Sequence, residues 1–215
     1  MTKHIVIVIG SLQVGGTERQ ISQIVPRLDR DLWQIDLLTL TKAGPLADDL
    51  RAAGHRIYSP PFVTRITRGG RFVRLFRAAI TLPWLWLWFL RNRPDIAHFV
   101  LPEAYLIGGL CALFAGQKRM VMSRRSLALY QLRHPILARI ERLLHRRMTL
   151  IVANSEAIRR DLLAEGVSDD RIRLIHNGVD TEAFRPDRAR GTAWRATMGI
   201  GPDQLVLVIV ANLIP

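Results

Sequence analysis

Short apolar runs of strand length alternate along the chain with stretches whose apolar positions return every three or four residues. The runs Ile5–Ile9, Trp33–Leu40, His55–Tyr58, Ile96–Val100, Arg119–Ser123, Leu150–Ala153, Ile172–Ile175 and Leu205–Ala211 predict strands. Most are rich in Val, Ile and Leu without polar alternation, the pattern of strands covered on both faces. Between them Thr17–Leu28, Leu46–Ala53, Arg71–Leu90, Ala104–Phe114, Pro135–Arg147 and Glu156–Glu165 predict helices, with Pro83 inside the third. Repeated β-α-β order predicts an α/β fold: a Rossmann-like parallel sheet with right-handed crossovers and helices on both faces.

Asp180–Gly201 breaks this rhythm, being rich in Arg, Asp, Gly and Pro, and reads as a linker or a helix at a domain edge. Gln204–Ala211 then reads as another strand apolar on both faces, which needs neighbours and a covering helix. The expected organisation is a domain over 1–180, a linker over 181–203 and, over 204–215, the first strand of a truncated second domain.

With 215 residues, 49% of them apolar, the chain has enough length for one well-cored α/β domain and a remainder. The single cysteine, Cys111, lies in an apolar run and reads as a buried, inert thiol in a reducing compartment. Six scattered histidines without a Cys partner predict no metal site. The start, Lys3-His4-Ile5-Val6-Ile7-Val8-Ile9-Gly10, reads as a strand and not a secretory signal, which predicts a cytoplasmic protein.

The net charge of +13 changes the picture because it is local. Arg65 to Arg147 holds 16 basic and 3 acidic residues, so the whole excess sits there and predicts an anionic partner. Within it, Arg71 and Arg74 precede the apolar run Ala78–Leu90, which carries Trp84, Trp86 and Trp88. That run is too short for a spanning helix, which needs about 20 residues. Two readings stay open: a helix packed on the sheet with wet arginines, or a peripheral contact of these residues with an anionic membrane.

After the first strand, Gly10-Ser11-Leu12-Gln13-Val14-Gly15-Gly16-Thr17-Glu18 forms a turn at the carboxyl end of a parallel strand, where such folds bind phosphate. Thr17 and Gln20 have capping-box spacing, so the helix is expected to start there. The spacing fits neither the dinucleotide nor the P-loop fingerprint. A tight turn that needs positive φ explains the glycines equally well.

Later come Asn154-Ser155-Glu156, a glycine stop at Gly166, then Ile175-His176-Asn177-Gly178-Val179-Asp180 with Phe184 and Pro186. This string resembles the end of the N-terminal domain in family 4 glycosyltransferases of the GT-B fold. Gly15-Gly16-Thr17-Glu18 is similar to that family's first loop, and Arg93-Pro94-Asp95-Ile96-Ala97-His98 to its fourth strand. Val208–Pro215 resembles the first strand of its donor domain.

The resemblance implies transfer of a sugar from a nucleotide-sugar to an acceptor, with retention of configuration and without metal or cofactor. Gly15, Gly16, Thr17, Glu18, Asn154, Asn177, Gly178 and Asp180 would line the cleft, with His98, Glu103 and Tyr105 on the acceptor side. Where many relatives place a histidine after the fifth strand, this chain has Arg124 and Arg125, which suit a phosphate or a solvated loop equally. No Glu-x7-Glu donor pair is present, since Glu156 and Glu165 stand one residue too far apart. Alone, the chain is expected to be inactive. The expected partners are a nucleotide-sugar, a lipid-linked or saccharide acceptor and an anionic membrane surface at the inner face of the cell membrane.

Other classes fit less well. Nucleic-acid binding lacks any helix-turn-helix, zinc or RNA-recognition signature, and an oxidoreductase fails on glycine spacing. A GT-B-related epimerase and a noncatalytic membrane- or partner-binding domain remain as alternatives.

Overall fold

The computed structural model describes residues 2–61, 71–127 and 130–209, with backbone alone for 71–78. Seven strands form one sheet: β1 (Lys3–Ile9), β2 (Trp33–Thr39), β3 (Arg56–Tyr58), β4 (Ile96–Val100), β5 (Met120–Arg124), β6 (Leu150–Ala153) and β7 (Ile172–Leu174). Their order is β3-β2-β1-β4-β5-β6-β7, and every neighbouring pair is parallel. The helices are α1 (Gly16–Ile24), α2 (Leu46–Ala52), α3 (Arg71–Asn92), α4 (Gly109–Phe114), α5 (Tyr130–Arg133), α6 (Pro135–His145), α7 (Glu156–Ala164) and α8 (Arg188–Thr197). A π-helical turn, Ala104–Gly108, leads into α4. The chain divides into two compact units, Met1–Asn177 and Gly178–Pro215.

Period-two alternation splits β1, β2 and β4 between two cores. Along β1, Val6 and Val8 join one cluster with Leu85 and Phe89 of α3, Ala112 of α4 and Leu144 of α6. Ile7 and Ile9 join the other with Ile21 of α1 and Ala47 and Leu50 of α2. Both faces are covered, which is why the strands read as continuous apolar runs. Burial of each such Val, Ile, Leu or Phe side chain contributes roughly 1.5–3 kcal/mol.

Cys111 is buried in the first cluster, its thiol directed at the Leu82 carbonyl, and burial pushes that thiol up to about 11.

Three expectations change. Residues 205–209 form no strand; Leu205, Leu207 and Ile209 are 97%, 88% and 81% exposed, and an apolar run without ladder neighbours gains nothing from extension. Residues 210 and 211 of that expected strand lie outside the described residues.

The start of α1 also differs. Its N-cap is the extended Gly15, no side chain caps it, and Thr17 lies inside the first turn.

The tryptophans of α3 largely serve the core. Trp88 is buried edge-on to Tyr58 and Phe89, and Trp84 packs half-buried on the first cluster, which removes Trp88 as a membrane contact. Trp86 is half-exposed, and the side chains of Arg71 and Arg74 lie outside the described residues. Among the described residues, no helix is long and apolar enough to cross a membrane.

Candidate functional site

All seven strands point their carboxyl ends to one edge, and the chain leaves β1 and β4 towards opposite faces. The helix after β1 packs on the Ile7 and Ile9 side, while the segment after β4 packs on the Val6 and Val8 side. A crevice opens between such divergent connections. Here it has a volume of about 530 Å³, lined by Gly10, Ser11, Glu18, Thr41, Glu103, Leu106 and Tyr130 among others.

The floor of the crevice is tied down from below. Thr41 donates both its backbone N–H and its hydroxyl to the Gly10 carbonyl, at 3.0 and 2.8 Å. Leu12 donates to Ala43, and Leu46 donates back to Leu12. Gly44 is the residue that permits this lacing. It sits at φ +96°, and a Cβ there would stand 2.6 Å from the Leu12 carbonyl.

Gly15 and Gly16 are different. Neither has positive φ, so turn geometry does not require them. A Cβ on Gly16 would meet nothing within 4 Å, and one on Gly15 would meet only the flexible Glu18 carboxylate. Their missing side chains leave the first N–H groups of α1 open, with Glu18 lying against that positive helix end.

Arg125, just past β5, links the connections that follow β1 and β7. Its Nη1 donates to the Gln20 side-chain oxygen in α1 and, at 2.9 Å, to the Asn177 side-chain oxygen beyond β7. Its Nε is buried without an acceptor. Close by, His98 contacts the Ser123 hydroxyl at 2.7 Å, and burial, with Arg125 adding to it, lowers its pKa to about 4. His98 is therefore neutral at pH 7. The backbone oxygen of Asn154 contacts His176 at 3.1 Å, while its side-chain oxygen is buried without a partner.

The family profile for Glycosyltransferase Family 4 matches residues 14–183. This chain belongs to glycosyltransferase family 4.

The family 4 chain is 32% identical over 127 residues to the sulfoquinovosyl transferase SQD2 of Arabidopsis thaliana, a match covering 55% of this chain and 25% of the relative. Its fold is similar to that of Anabaena Alr3699/HepE in complex with UDP-glucose, at TM-score 0.66 and 16% identity, over 92% of this chain and 50% of the other. It is similar also to UDP-GlcNAc 2-epimerase from Methanocaldococcus jannaschii, at TM-score 0.52 and 15% identity, over 82% and 46% of the two chains. The chain spans a quarter to about half the length of these relatives.

Within the family 4 frame the expected site residues separate. Glu18 and Glu103 line the crevice, Gly15, Gly16 and Thr17 lie at the start of α1, and Arg125 gathers Gln20 and Asn177. Gly178 and Asp180 belong to the second unit. There the Asp180 carboxylate accepts the backbone N–H groups of Glu182 and Ala183, at 3.2 and 3.1 Å.

Two assignments are corrected. Tyr105 is fully buried and stacked on His145, so it cannot face an acceptor. Arg124 is 2% exposed and paired with Glu165 at 2.8 Å, so it faces neither phosphate nor solvent. Gln20 and Tyr130 were not anticipated as site residues. Gln20 was read as part of a cap, and Tyr130 lies in a stretch without helical periodicity in the sequence. Among the described residues, no group of three His, Cys, Asp or Glu side chains could hold a metal ion.

Proposed function

We propose that this chain is the acceptor-side part of a retaining glycosyltransferase that moves a hexose from a uridine diphosphate sugar to a lipid-linked or saccharide acceptor. The observation that carries the reading is Arg125, whose one guanidinium joins the helix end behind Gly15-Gly16 to Asn177. A diphosphate leaving group gains charge as the glycosidic bond breaks, and fixed donors at that point lower the barrier. The open N–H groups of α1 and the Arg125 cation supply such donors. The crevice beside them combines the Leu106 and Tyr130 surfaces with the Glu103 and Ser11 polar groups, which suits an acceptor hydroxyl on a partly apolar carrier. The UDP-glucose complex of Anabaena HepE and the sulfoquinovosyl transferase SQD2 support the donor class, and a place in envelope polysaccharide or glycolipid synthesis follows from an acceptor of that kind. No metal or cofactor takes part in this reading.

The test is transfer of labelled sugar from UDP-glucose. The chain alone is expected to give none above background, and addition of a donor-binding domain from a family 4 relative is expected to restore it. Robust transfer by the chain alone would overturn the dependence on a second half. A second reading, sugar-nucleotide epimerisation, is favoured by the epimerase among the fold neighbours. It predicts an epimerised UDP-sugar in the absence of any acceptor.

A further inference from the structure

We propose that the outer face of α5 and α6 is a docking surface for an anionic lipid bilayer. The inference stands apart from the transferase reading, because the side chains it rests on, Leu132, Ile136 and Leu143, do not line the crevice. Leu132, Ile136 and Leu143 are 84%, 71% and 61% exposed, whereas Ala138 and Leu144 on the opposite side of α6 are buried. Ile136, Arg139, Leu143 and Arg146 follow one another at steps of three and four, so they share one helical stripe. Arg133 and Arg142 are exposed beside it.

The charge fixes the kind of partner. Between Lys118 and Arg147 the only acidic residue is Glu141, and it is fully buried, accepting hydrogen bonds from Tyr130 and Gln131. The stripe therefore offers aliphatic side chains interleaved with guanidinium groups and no exposed carboxylate. At a bilayer the aliphatic groups enter the acyl boundary while the arginines meet lipid phosphates. The charge excess that pointed to the tryptophans of α3 thus finds its apolar companions on α6, since Trp88 is spent inside the core.

Sedimentation with vesicles tests this, using the full chain and either pure phosphatidylcholine or a mixture with about 40% phosphatidylglycerol, sufficient for a negative surface potential. The chain is expected to pellet with the anionic vesicles at low salt and to be released at high salt. Leu132→Ser/Ile136→Ser/Leu143→Ser should weaken binding by more than tenfold, roughly the loss of several buried methylenes. Arg139→Gln/Arg142→Gln/Arg146→Gln should weaken it roughly a hundredfold and flatten the salt dependence. Circular dichroism of both variants should match the parent, because every substituted side chain is exposed. Equal binding to neutral vesicles, absence of pelleting, or full binding by both variants would overturn the proposal. So would loss of binding on Trp84→Ser/Trp86→Ser with the α6 variants unaffected.

Discussion

Arg124 and Arg125 are neighbours in sequence and opposites in use. Arg124 ends β5 on the face carrying Met120 and Met122, both members of the first core cluster, and it is buried there. It meets Glu165, in a cluster completed by Glu141, His145, Tyr105 and Tyr130. Arg125 turns the other way, to Gln20 and Asn177 at the carboxyl edge. One arginine neutralises a partly buried carboxylate and holds the C-terminal end of α7 to the sheet. The other keeps a cation at a rim where Gly15 and Gly16 leave backbone donors open. Position along the chain, and not residue type, separates a charge spent in the core from one held at the rim.

The largest effect expected is on the buried side. Arg124→Ala should cost about 3–5 kcal/mol in urea unfolding, because Glu165 would be left uncompensated. Arg124→Leu/Glu165→Leu should recover most of that loss. If the single variant cost no more than a surface change, the contrast would be broken.

Acid should act next. Burial, opposed by the Glu165 carboxylate, holds His145 near 4, below the ordinary 6.5. Between these values the unfolded chain binds a proton that the folded chain does not. Stability is therefore fully present above pH 6.5 and falls as pH drops towards 4, on the order of 3 kcal/mol from His145 alone. His98, also lowered to about 4 by burial, adds in the same direction. Urea midpoints taken from pH 7.5 to 4 would check this, and His145→Asn should reduce the slope.

On the rim side, Arg125→Ala should cost about 1–2 kcal/mol, less than Arg124→Ala, since it takes a donor from the buried Gln20 side-chain oxygen but leaves no carboxylate uncompensated. Sugar transfer by the reconstituted enzyme should nevertheless fall on the order of a hundredfold. A collapse in stability with transfer intact would reverse the assignment of the two arginines.

The smallest effect on stability is expected at Gly16. Gly16→Ala adds a methyl group to open space, so stability should change by less than about 0.5 kcal/mol. Transfer should drop roughly tenfold through displaced phosphate approach, measured by steady-state kinetics.

The sheet was readable from sequence because a strand buried on both faces writes a continuous apolar run, as at Ile96–Val100 and Leu150–Ala153, whose bounds are those of β4 and β6. The same rule reads a strand at Leu205–Ala211, of which the described residues, 205–209, form none. An apolar run records what a strand would need and not whether a partner lies beside it. The placement of Arg124 was also within reach: parity with Met120 and Met122 puts it on their face once β5 is granted. Tyr105 was harder, since the π-helical turn Ala104–Gly108 sets its direction and carries no periodic signature. The Gln20–Arg125–Asn177 link spans three connections after β1, β5 and β7. Only the topology brings those together.

The solitary thiol of Cys111, shielded among apolar neighbours and protonated at any working pH, has a practical outcome. Maleimide reagents need an accessible thiolate and should pass it by. A fluorophore attached at an engineered Leu132→Cys would consequently report from one known spot, with no need to strip the native sulfur first.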